Sequence, residues 1–214
     1  MKINNKLKQI AELVLPNSFL LDVGCDHALL DIYLTNKNVR CIGCDINILP
    51  LEKAKENIKK YGVEDKITLK VGDGLEHLTN NIDTIVISGM GGILIKDIIK
   101  KDLSKITNQK IITCPNNDSD VLRKFMTSNG FKIEKEMLVK DKYIYEIIVF
   151  IKGIEKYSNK EIMYGKYFIH DDLYKEYFSK KLDTLILIKN NLPKKHFIKK
   201  IELTKKIRRL KSII

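Results

Sequence analysis

The sequence predicts an α/β protein: a mostly parallel, doubly wound sheet that ends in an antiparallel strand pair, followed by a C-terminal antiparallel helical hairpin of coiled-coil type. Short apolar runs alternate with amphipathic helical patterns over the first 130 residues or so, as expected for consecutive βαβ units. Two long apolar stretches with no helix between them come next. Beyond about residue 155 the strand pattern disappears, and two amphipathic helical segments remain.

Apolar runs bounded by turn residues predict the strands. They cover residues 19–23, 39–44, 67–71, 82–88, 110–114, 132–139 and 143–151. Apolar side chains at helical spacing predict the helices of the same region. They cover residues 3–15, 28–34, 50–61, 93–103 and 118–128. Because only residues 140–142 join the last two strands, we expect these strands to pair antiparallel at the sheet edge.

The C-terminal segments at 171–189 and 194–214 are separated by a turn at 190–193. Apolar residues recur in the second segment at four-three-four spacing, which predicts a seam that pairs the two helices. They are Leu203, Ile207, Leu210 and Ile214. We therefore expect a first domain over residues 1–153 and a basic helical hairpin over 154–214. The alternative is a helical extension packed on the sheet.

Positive charge is concentrated at the C-terminal end. The chain has 39 Lys and Arg residues against 27 Asp and Glu, a net charge of +12. Residues 1–150 carry a net charge of +2 and residues 151–214 a net charge of +10. A Lys-rich composition explains the use of lysine but not this asymmetry. The distribution favours a nucleic acid partner over a basic face that is merely solvated.

We expect neither a membrane span nor a signal peptide, because no apolar run reaches about 18 residues and no small-residue cleavage site follows the N-terminus. The protein is thus expected to be cytoplasmic. Of the cysteines Cys25, Cys41, Cys44 and Cys114, the middle two form one C-x-x-C pair. A structural zinc site needs a second such pair of ligands. We therefore interpret these cysteines as small apolar residues of a buried strand, and we predict no metal.

Three consecutive predicted strands end close to an acid: Asp22, Asp45 and Asp73. The carboxyl ends of parallel strands form the ligand-binding edge of a doubly wound sheet. An acid there attracts a cationic nucleoside, and Asp45 is placed to accept hydrogen bonds from ribose hydroxyls. The alternative is that each acid caps the following helix.

The turn after the first strand argues against a nicotinamide oxidoreductase, which is the main competing enzyme class. A dinucleotide site requires G-x-G-x-x-G. This turn has Gly24 alone, and Asp26 stands where the second glycine should be. An acid at that place repels a pyrophosphate.

The turns after the fourth and fifth strands complete the predicted site. The fourth strand runs into Ser88-Gly89-Met90-Gly91-Gly92, and the glycines indicate backbone that passes close to a ligand, or else a flexible turn. The fifth runs into Cys114-Pro115-Asn116-Asn117. There an Asn amide offers a donor and an acceptor to a base edge, while Asn117 or Asp118 is equally suited to cap the next helix.

Taken in order, the segments LDVGCDHALLDIYL, CDINILPLEKAKENI, VGDGLE, DTIVISGMGG, CPNN and YIYEIIVF resemble the bacterial tRNA adenosine N1-methyltransferases that act on adenosine 22, the TrmK family. The resemblance covers roughly residues 5–150 and continues more loosely into the hairpin. It implies a class I Rossmann-like methyltransferase domain, S-adenosyl-L-methionine as cofactor and tRNA as partner. Cys25 and Cys114 depart from residues frequent in the family and are interpreted as incidental.

The resemblance also implies a role for each matching residue. The methionine portion of the cofactor would be lined by Asp22, Gly24, Asp26 and His27. Asp45 and Asn47 would hold the ribose, and Asp73 and Gly74 would bracket the adenine. Ser88, Gly89 and Met90 would border the methyl group, and Asn116 would face the target base. The catalytic candidates are Asp26, Met90 and Asn116. A proton shuttle and a packing residue both remain open for His27.

Methylation of N1 of adenosine 22 in tRNA is therefore the expected activity, with a monomer favoured. Alternatives are an RNA-binding module of methyltransferase fold without catalysis, and a methyltransferase acting on another RNA, a protein or a small molecule. The basic hairpin has no obvious use with the last two substrates.

Overall fold

The computed structural model describes residues 1–213, apart from the side chain of Lys194. It divides the chain into two compact units, Met1–Tyr167 and the residues from Phe168 onward. None of the helices in the described residues combines the length and the apolar character that crossing a membrane requires.

A sheet built from the described residues of the first unit has seven strands in the order β3-β2-β1-β4-β5-β7-β6. The strands are Phe19–Val23 (β1), Arg40–Asp45 (β2), Ile67–Val71 (β3), Thr84–Ser88 (β4), Lys110–Cys114 (β5), Phe131–Lys140 (β6) and Ile144–Lys152 (β7). The strands β1 to β5 pair in parallel, whereas β7 pairs antiparallel with both β5 and β6. The predicted mostly parallel sheet with a final antiparallel pair is confirmed.

Helices cover both faces of this sheet. They are Asn5–Leu13 (α1), Leu29–Leu34 (α2), Ile48–Tyr61 (α3), Gly92–Lys101 (α4), Ser119–Ser128 (α5) and Asn159–Tyr164 (α6). One apolar cluster joins α1, α2 and α3 to the sheet, and a second joins α4 and α5. Within β4, Val86 belongs to the first cluster and its neighbours Ile85 and Ile87 to the second. This alternation explains why the strand is almost wholly apolar.

The strand order reverses at β1, which pairs with β2 on one side and β4 on the other. Such a switch point leaves a crevice at the carboxyl ends of the two diverging strands. Residues 72–83, which the structure describes in full, connect β3 to β4 without a helix. The chain thus returns from β3, at one side of the sheet, to β4 at its centre by a loop alone.

A buried charge network fixes the end of the first unit. Arg123 of α5 is 1% exposed and pairs with Glu136 of β6 (Nε–Oε1 2.5 Å) and Glu146 of β7 (Nη2–Oε2 2.7 Å). The other oxygen of Glu136 accepts hydrogen bonds from the backbone N–H groups of Lys166 (2.6 Å) and Tyr167 (3.1 Å). The segment after β7 is therefore held against the sheet, and the compact unit ends at Tyr167. The predicted domain boundary after residue 153 remains a prediction.

Helix α6 is an element that the sequence pattern did not predict. It begins with a capping box, in which Ser158 Oγ accepts from the Glu161 N–H (3.2 Å) and Glu161 Oε2 accepts from the Ser158 N–H (2.7 Å). The helix has only six residues, too few for apolar periodicity to reveal it.

The second unit contains Asp172–Asn191 (α7) and Phe197–Lys211 (α8), which pack against each other across a short turn. The predicted helical hairpin is confirmed. Leu203 and Leu210 are buried, Ile207 is half-buried, and Ile214, the last predicted seam residue, lies outside the described residues. Near the start of α7, Tyr174 and Phe178 are buried and in contact, with ring centroids 4.5 Å apart.

Replacing Arg123 by Ala should lower the free energy of unfolding by about 3–5 kcal/mol, because two buried carboxylates would lose their shared cation. Urea denaturation followed by circular dichroism measures the effect. Lys124→Ala, which removes an exposed cation from the same helix, should change stability by no more than about 0.5 kcal/mol. Equal losses in the two variants would show that the network does not hold this unit together.

Candidate functional site

Acids lie at or just beyond the carboxyl ends of three neighbouring strands of the sheet. Asp22 is the penultimate residue of β1, Asp45 is the last residue of β2, and Asp73 lies two residues beyond β3. The strands are adjacent, and Asp45 is level with Val71 of β3. Helix capping does not account for this set. Asp22 is buried within its strand, and no helix follows Asp73 in the described segment 72–83. The cap interpretation is therefore wrong for these two acids.

The turn after β1 is tightly held and strained. The N–H groups of Gly24 (2.8 Å) and Cys25 (3.0 Å) both donate to the carbonyl of Cys44 in β2. Asp26 and Ala28 then adopt the left-handed conformation, with φ of 51° and 54°. Non-glycine residues at positive φ cost energy and are concentrated at functional sites. The strain points to a turn whose shape is needed for binding.

Asp26 and His27 are the solvent-facing side chains of this turn. His27 Nδ1 lies 3.4 Å from Asp26 Oδ1, and the two side chains are 46% and 71% exposed. The carbonyl of His27 accepts a hydrogen bond from Asn57 Nδ2 of α3 (3.0 Å). The turn is thus anchored from α3, while both polar side chains remain accessible to a ligand.

Gly24 is required for a specific steric reason. Its φ is +74°, and a Cβ at this position would lie 2.2 Å from Met90 Cε. Met90 therefore lies directly over the bare backbone of the first turn. This contact brings together the turns after β1 and β4, which flank the switch point of the sheet.

Asp45 and Asn47 form a local turn after β2. Asp45 Oδ1 accepts from the Asn47 backbone N–H (2.9 Å) and, at 3.4 Å, from Asn47 Nδ2. The Asn47 side chain makes no capping bond to α3. Asp45 is thereby oriented through one oxygen, and its second oxygen is not used in this turn.

Asp73 is engaged by a cation. Lys101 Nζ lies 2.7 Å from Asp73 Oδ2, and the Asp73 N–H donates to Glu76 Oε2 (3.2 Å). Gly74 follows with a φ of 62° and is buried. A ligand that used the Asp73 carboxylate would have to share it with Lys101. The backbone of this loop is the less encumbered partner.

The turns after β4 and β5 are joined by hydrogen bonds. The N–H of Gly89 donates to Cys114 O (3.1 Å), and the N–H of Asn116 donates to Met90 O (2.8 Å). Asn116 Nδ2 also donates to the carbonyl of Gly89 (2.6 Å). The pair of turns forms one rigid rim, and the Asn116 amide is fixed in it with its Oδ1 atom left to accept.

The glycines of the β4 turn have two different explanations. A Cβ on Gly92 would lie 2.4 Å from the carbonyl oxygen of Asp118, so Gly92 is required by the approach of the two turns. Gly89, with φ +84°, has nothing within 4 Å of where its Cβ would be. Open space for a ligand is therefore found at Gly89, and not at Gly92. The alternative that Asp118 caps α5 is wrong, because its side chain makes no capping hydrogen bond.

A buried carboxyl group that the sequence analysis missed lies beside this edge. Asp31 of α2 is fully buried, neither carboxyl oxygen has a hydrogen-bond partner among the described residues, and its Oδ2 would lie 2.7 Å from a Cβ on Gly43. Gly43 is the residue of β2 that pairs with Asp22. Burial raises the pKa of Asp31 to about 7, and the nearby Cys41 thiol lowers it. Burial, and then Asp31, raise the pKa of Asp22 well above its usual value, while Lys6 lowers it.

The cysteines are structural. All four are free and buried. Burial raises the pKa of the Cys25 thiol, that of Cys44 to about 12 and that of Cys114 to about 11. Thiols of this kind are poor nucleophiles, which supports their interpretation as small apolar residues. Among residues 1–213, no three His, Cys, Asp or Glu side chains are grouped so as to hold a metal ion.

Comparison with known proteins identifies a methyltransferase domain in this chain. A family model described as a methyltransferase domain matches residues 3–148. The tRNA (adenine(22)-N(1))-methyltransferase of Bacillus subtilis is 31% identical over 154 residues, which are 70% of this chain and 65% of that protein. The chain thus spans just under two thirds of the length of this curated relative.

Two solved structures share the fold over nearly the whole chain. M. capricolum TrmK in complex with S-adenosyl-homocysteine is 30% identical, with a TM-score of 0.86 and coverage of 99% of this chain and 97% of that chain. Streptococcus pneumoniae Sp1610 in complex with S-adenosyl-L-methionine is 28% identical, with a TM-score of 0.89 and coverage of 99% of both chains.

The buried Asp31 should make stability depend on pH. The unfolded chain releases this proton near pH 3.8 and the folded chain near pH 7, so the free energy of unfolding falls as the pH rises through this window. Between pH 5.5 and 8 the loss from Asp31 alone should be about 2 kcal/mol. Thermal melting should show that Asp31→Asn makes this slope shallower, with buried Asp22 supplying what remains, whereas Asp65→Asn, at an exposed acid, leaves it unchanged. Parallel profiles for wild type and Asp31→Asn would contradict the assignment.

Proposed function

Because this chain belongs to the TrmK family of methyltransferase-domain proteins, we propose that it transfers a methyl group from S-adenosyl-L-methionine to N1 of adenosine 22 in tRNA. The observation that carries the proposal is the row of acids Asp22, Asp45 and Asp73 at the ends of three adjacent strands. These acids suit a donor with a cationic methionine end and a ribose. The Bacillus subtilis relative carries this activity in its name.

The residues of the first turn fit the methionine portion of the donor. Gly24 offers backbone that no side chain covers except Met90. Asp22 and Asp26 supply negative charge beside it, with His27 at the rim. Because burial holds the pKa of Asp22 high, a cationic ligand would favour its ionised form. Donor binding would then lower the pKa of Asp22.

The next two strand ends fit the nucleoside. Asp45 is oriented through Oδ1 by Asn47, which leaves Oδ2 to accept from a ribose hydroxyl. Gly74 and the backbone beside Asp73 would bracket the adenine, since Lys101 already holds the Asp73 carboxylate. Ser88 and Gly89 border the open space of the β4 turn, where the methyl group would lie. Ser88 Oγ is buried without a hydrogen-bond partner among the described residues.

S-adenosyl-L-methionine supplies an activated methyl group on a sulfonium. Neutral adenine offers an N1 lone pair, so the acceptor needs no deprotonation before the transfer. Catalysis by this chain would consist of positioning and charge stabilisation. Asn116, fixed by its bond to the Gly89 carbonyl, would accept a hydrogen bond from the exocyclic amino group through Oδ1. N1 would stay free to react, and guanine would be rejected because its O6 is an acceptor.

Methylation makes the adenine ring cationic, and Asp26 is the acid placed to offset that charge. Its carboxylate is exposed on the same strained turn and lies beside His27. Met90, which lies over Gly24, would border the transferring methyl group between the donor turn and the rim that carries Asn116. The N1 atom is engaged in paired adenine, so the target base has to be unpaired or extruded.

The hairpin of the second unit would grip the RNA backbone. In α8, exposed cations include Lys199, Lys205, Lys206 and Arg208. Such cations give an affinity that depends steeply on salt. A tRNA substrate agrees with a cytoplasmic location, and the net charge of +12 favours a monomer, because identical chains repel each other.

Incubation of the full chain with labelled donor and an unmodified tRNA transcript tests the function, followed by nucleoside mass spectrometry. We expect 1-methyladenosine in this transcript and none when adenosine 22 is replaced by guanosine. Binding of tRNA without methyl transfer would indicate a non-catalytic RNA-binding module instead. A methylated product at another position would contradict the proposed target.

Neutralising the hairpin should weaken RNA binding alone. The triple variant Lys205→Gln, Lys206→Gln, Arg208→Gln should bind tRNA less tightly, and the slope of log K against log salt should become shallower by roughly two to three. The matched triple Lys55→Gln, Lys59→Gln, Lys60→Gln changes the charge equally on α3 and should keep the slope. Identical salt slopes in the two triples would remove the proposed role of the hairpin.

Replacing Asp45 by Ala should reduce donor affinity in calorimetry more than RNA affinity.

A further inference from the structure

Two tyrosines beside the active-site edge belong to the YIYEIIVF segment and have no part in the proposed chemistry. In the antiparallel pairing of β5 and β7, Thr113 is level with Ile148. One residue later β5 ends at Cys114, and Tyr145 packs against the apolar cluster that contains Cys114. Tyr145 and its neighbour Tyr143 therefore lie next to the turn that is proposed to face the target base.

A cation from the first helix completes this region. Lys6 Nζ lies 5.2 Å from the ring centroid of Tyr145, within cation–π range. Burial raises the pKa values of Asp22 and Cys114, and the charge of Lys6 lowers both. Lys6 therefore acts electrostatically on residues of β1 and β5. The first helix thus brings a positive charge to the edge where the site is proposed.

The second tyrosine is open to solvent. Tyr143 is 63% exposed, and its ring lies edge-to-face with that of Tyr145, with centroids 6.3 Å apart and planes at 74°. Lys142 Nζ lies 5.5 Å from the Tyr143 centroid. We call Lys6, Lys142, Tyr143 and Tyr145 the tyrosine–lysine patch. It combines an exposed aromatic ring with two cations.

The patch is held in place by hydrogen bonds between α1 and the β6–β7 turn. Asn5 Nδ2 donates to the carbonyl of Lys140 (2.8 Å), and the Lys6 N–H donates to Asp141 Oδ2 (3.3 Å). The Asp141 N–H in turn donates to the carbonyl of Tyr143 (2.8 Å). The Asp141 carboxylate, the acid of this region, thus faces the N-terminus of α1, where negative charge is favourable. Because the turn is already held in place, the Tyr143 ring loses little conformational entropy when it binds a ligand.

We propose that the tyrosine–lysine patch binds the single-stranded RNA that flanks the target adenosine, with Tyr143 stacking on a neighbouring base and Lys6 and Lys142 contacting phosphates. The inference rests on the proposed function and adds a second RNA contact, on the catalytic unit itself. Exposed aromatic rings beside cations suit single-stranded nucleic acid, because unstacked bases can stack on the rings while the cations contact phosphates. A second copy of this chain is disfavoured as occupant, because like charges would meet.

Three variants of the full chain test the patch by tRNA affinity at fixed salt, with donor affinity and thermal melting as controls. Tyr143→Ala should weaken tRNA binding roughly five- to hundred-fold, the range for loss of one stacked base. Tyr143→Phe keeps the ring and should stay within about twofold of wild type. Tyr61→Ala is the matched control: Tyr61 is 43% exposed and has Lys60 Nζ 5.9 Å from its centroid, but it ends α3, away from the carboxyl edge of the sheet.

The inference is overturned if Tyr143→Ala binds tRNA as wild type does, or if Tyr143→Phe loses as much as Tyr143→Ala. Loss of self-association in Tyr143→Ala, with unchanged RNA affinity, would assign the patch to a second copy and overturn it too. Failure of the proposed function looks different, because the wild-type chain would then bind no donor or leave tRNA unmethylated. The affinity comparison tests the patch even when methyl transfer is absent.

Discussion

The parallel pairing of β1 with both β2 and β4 is the constraint on which the candidate site depends. It makes β1 the point at which the strand order reverses, so the turns that follow β1 and β4 diverge above a crevice. The turn at Gly24 and the turn at Met90 meet across it. The acids of β2 and β3 lie on one side, and the rim with Asn116 lies on the other. Under the proposed function, the methyl donor and the target base would contact opposite sides of this crevice.

Much of this arrangement could be predicted from the sequence, because the strands are short apolar runs and the ligand-binding edge follows from their order. The acids at Asp22, Asp45 and Asp73 were visible as a recurring feature of strand ends. Helix α6 was missed, although Ser158 and Glu161 carry the spacing of a capping box. Asp31 was missed as well, although an acid among the apolar residues of LLDIYL is itself a signal.

Other features could not be read from the sequence, because they arise from tertiary contacts. The glycines after β4 predicted a close approach to a ligand, but Gly92 is required by the carbonyl of Asp118 in the neighbouring turn. Only the folded rim shows that the Asn116 amide donates to Gly89. In the same way, Lys6 is one of many lysines in the sequence. Its importance appears when α1 is found against Tyr145 at the edge of the sheet.

We infer that the acidic edge binds a cationic nucleoside donor and not a dinucleotide. Isothermal titration calorimetry of the full chain at neutral pH, with S-adenosyl-L-methionine and with NAD in parallel, tests it most directly. We expect one site per chain for S-adenosyl-L-methionine and no measurable heat of binding for NAD. Absence of S-adenosyl-L-methionine binding by protein that circular dichroism shows to be folded, or preferential binding of NAD, would contradict the account.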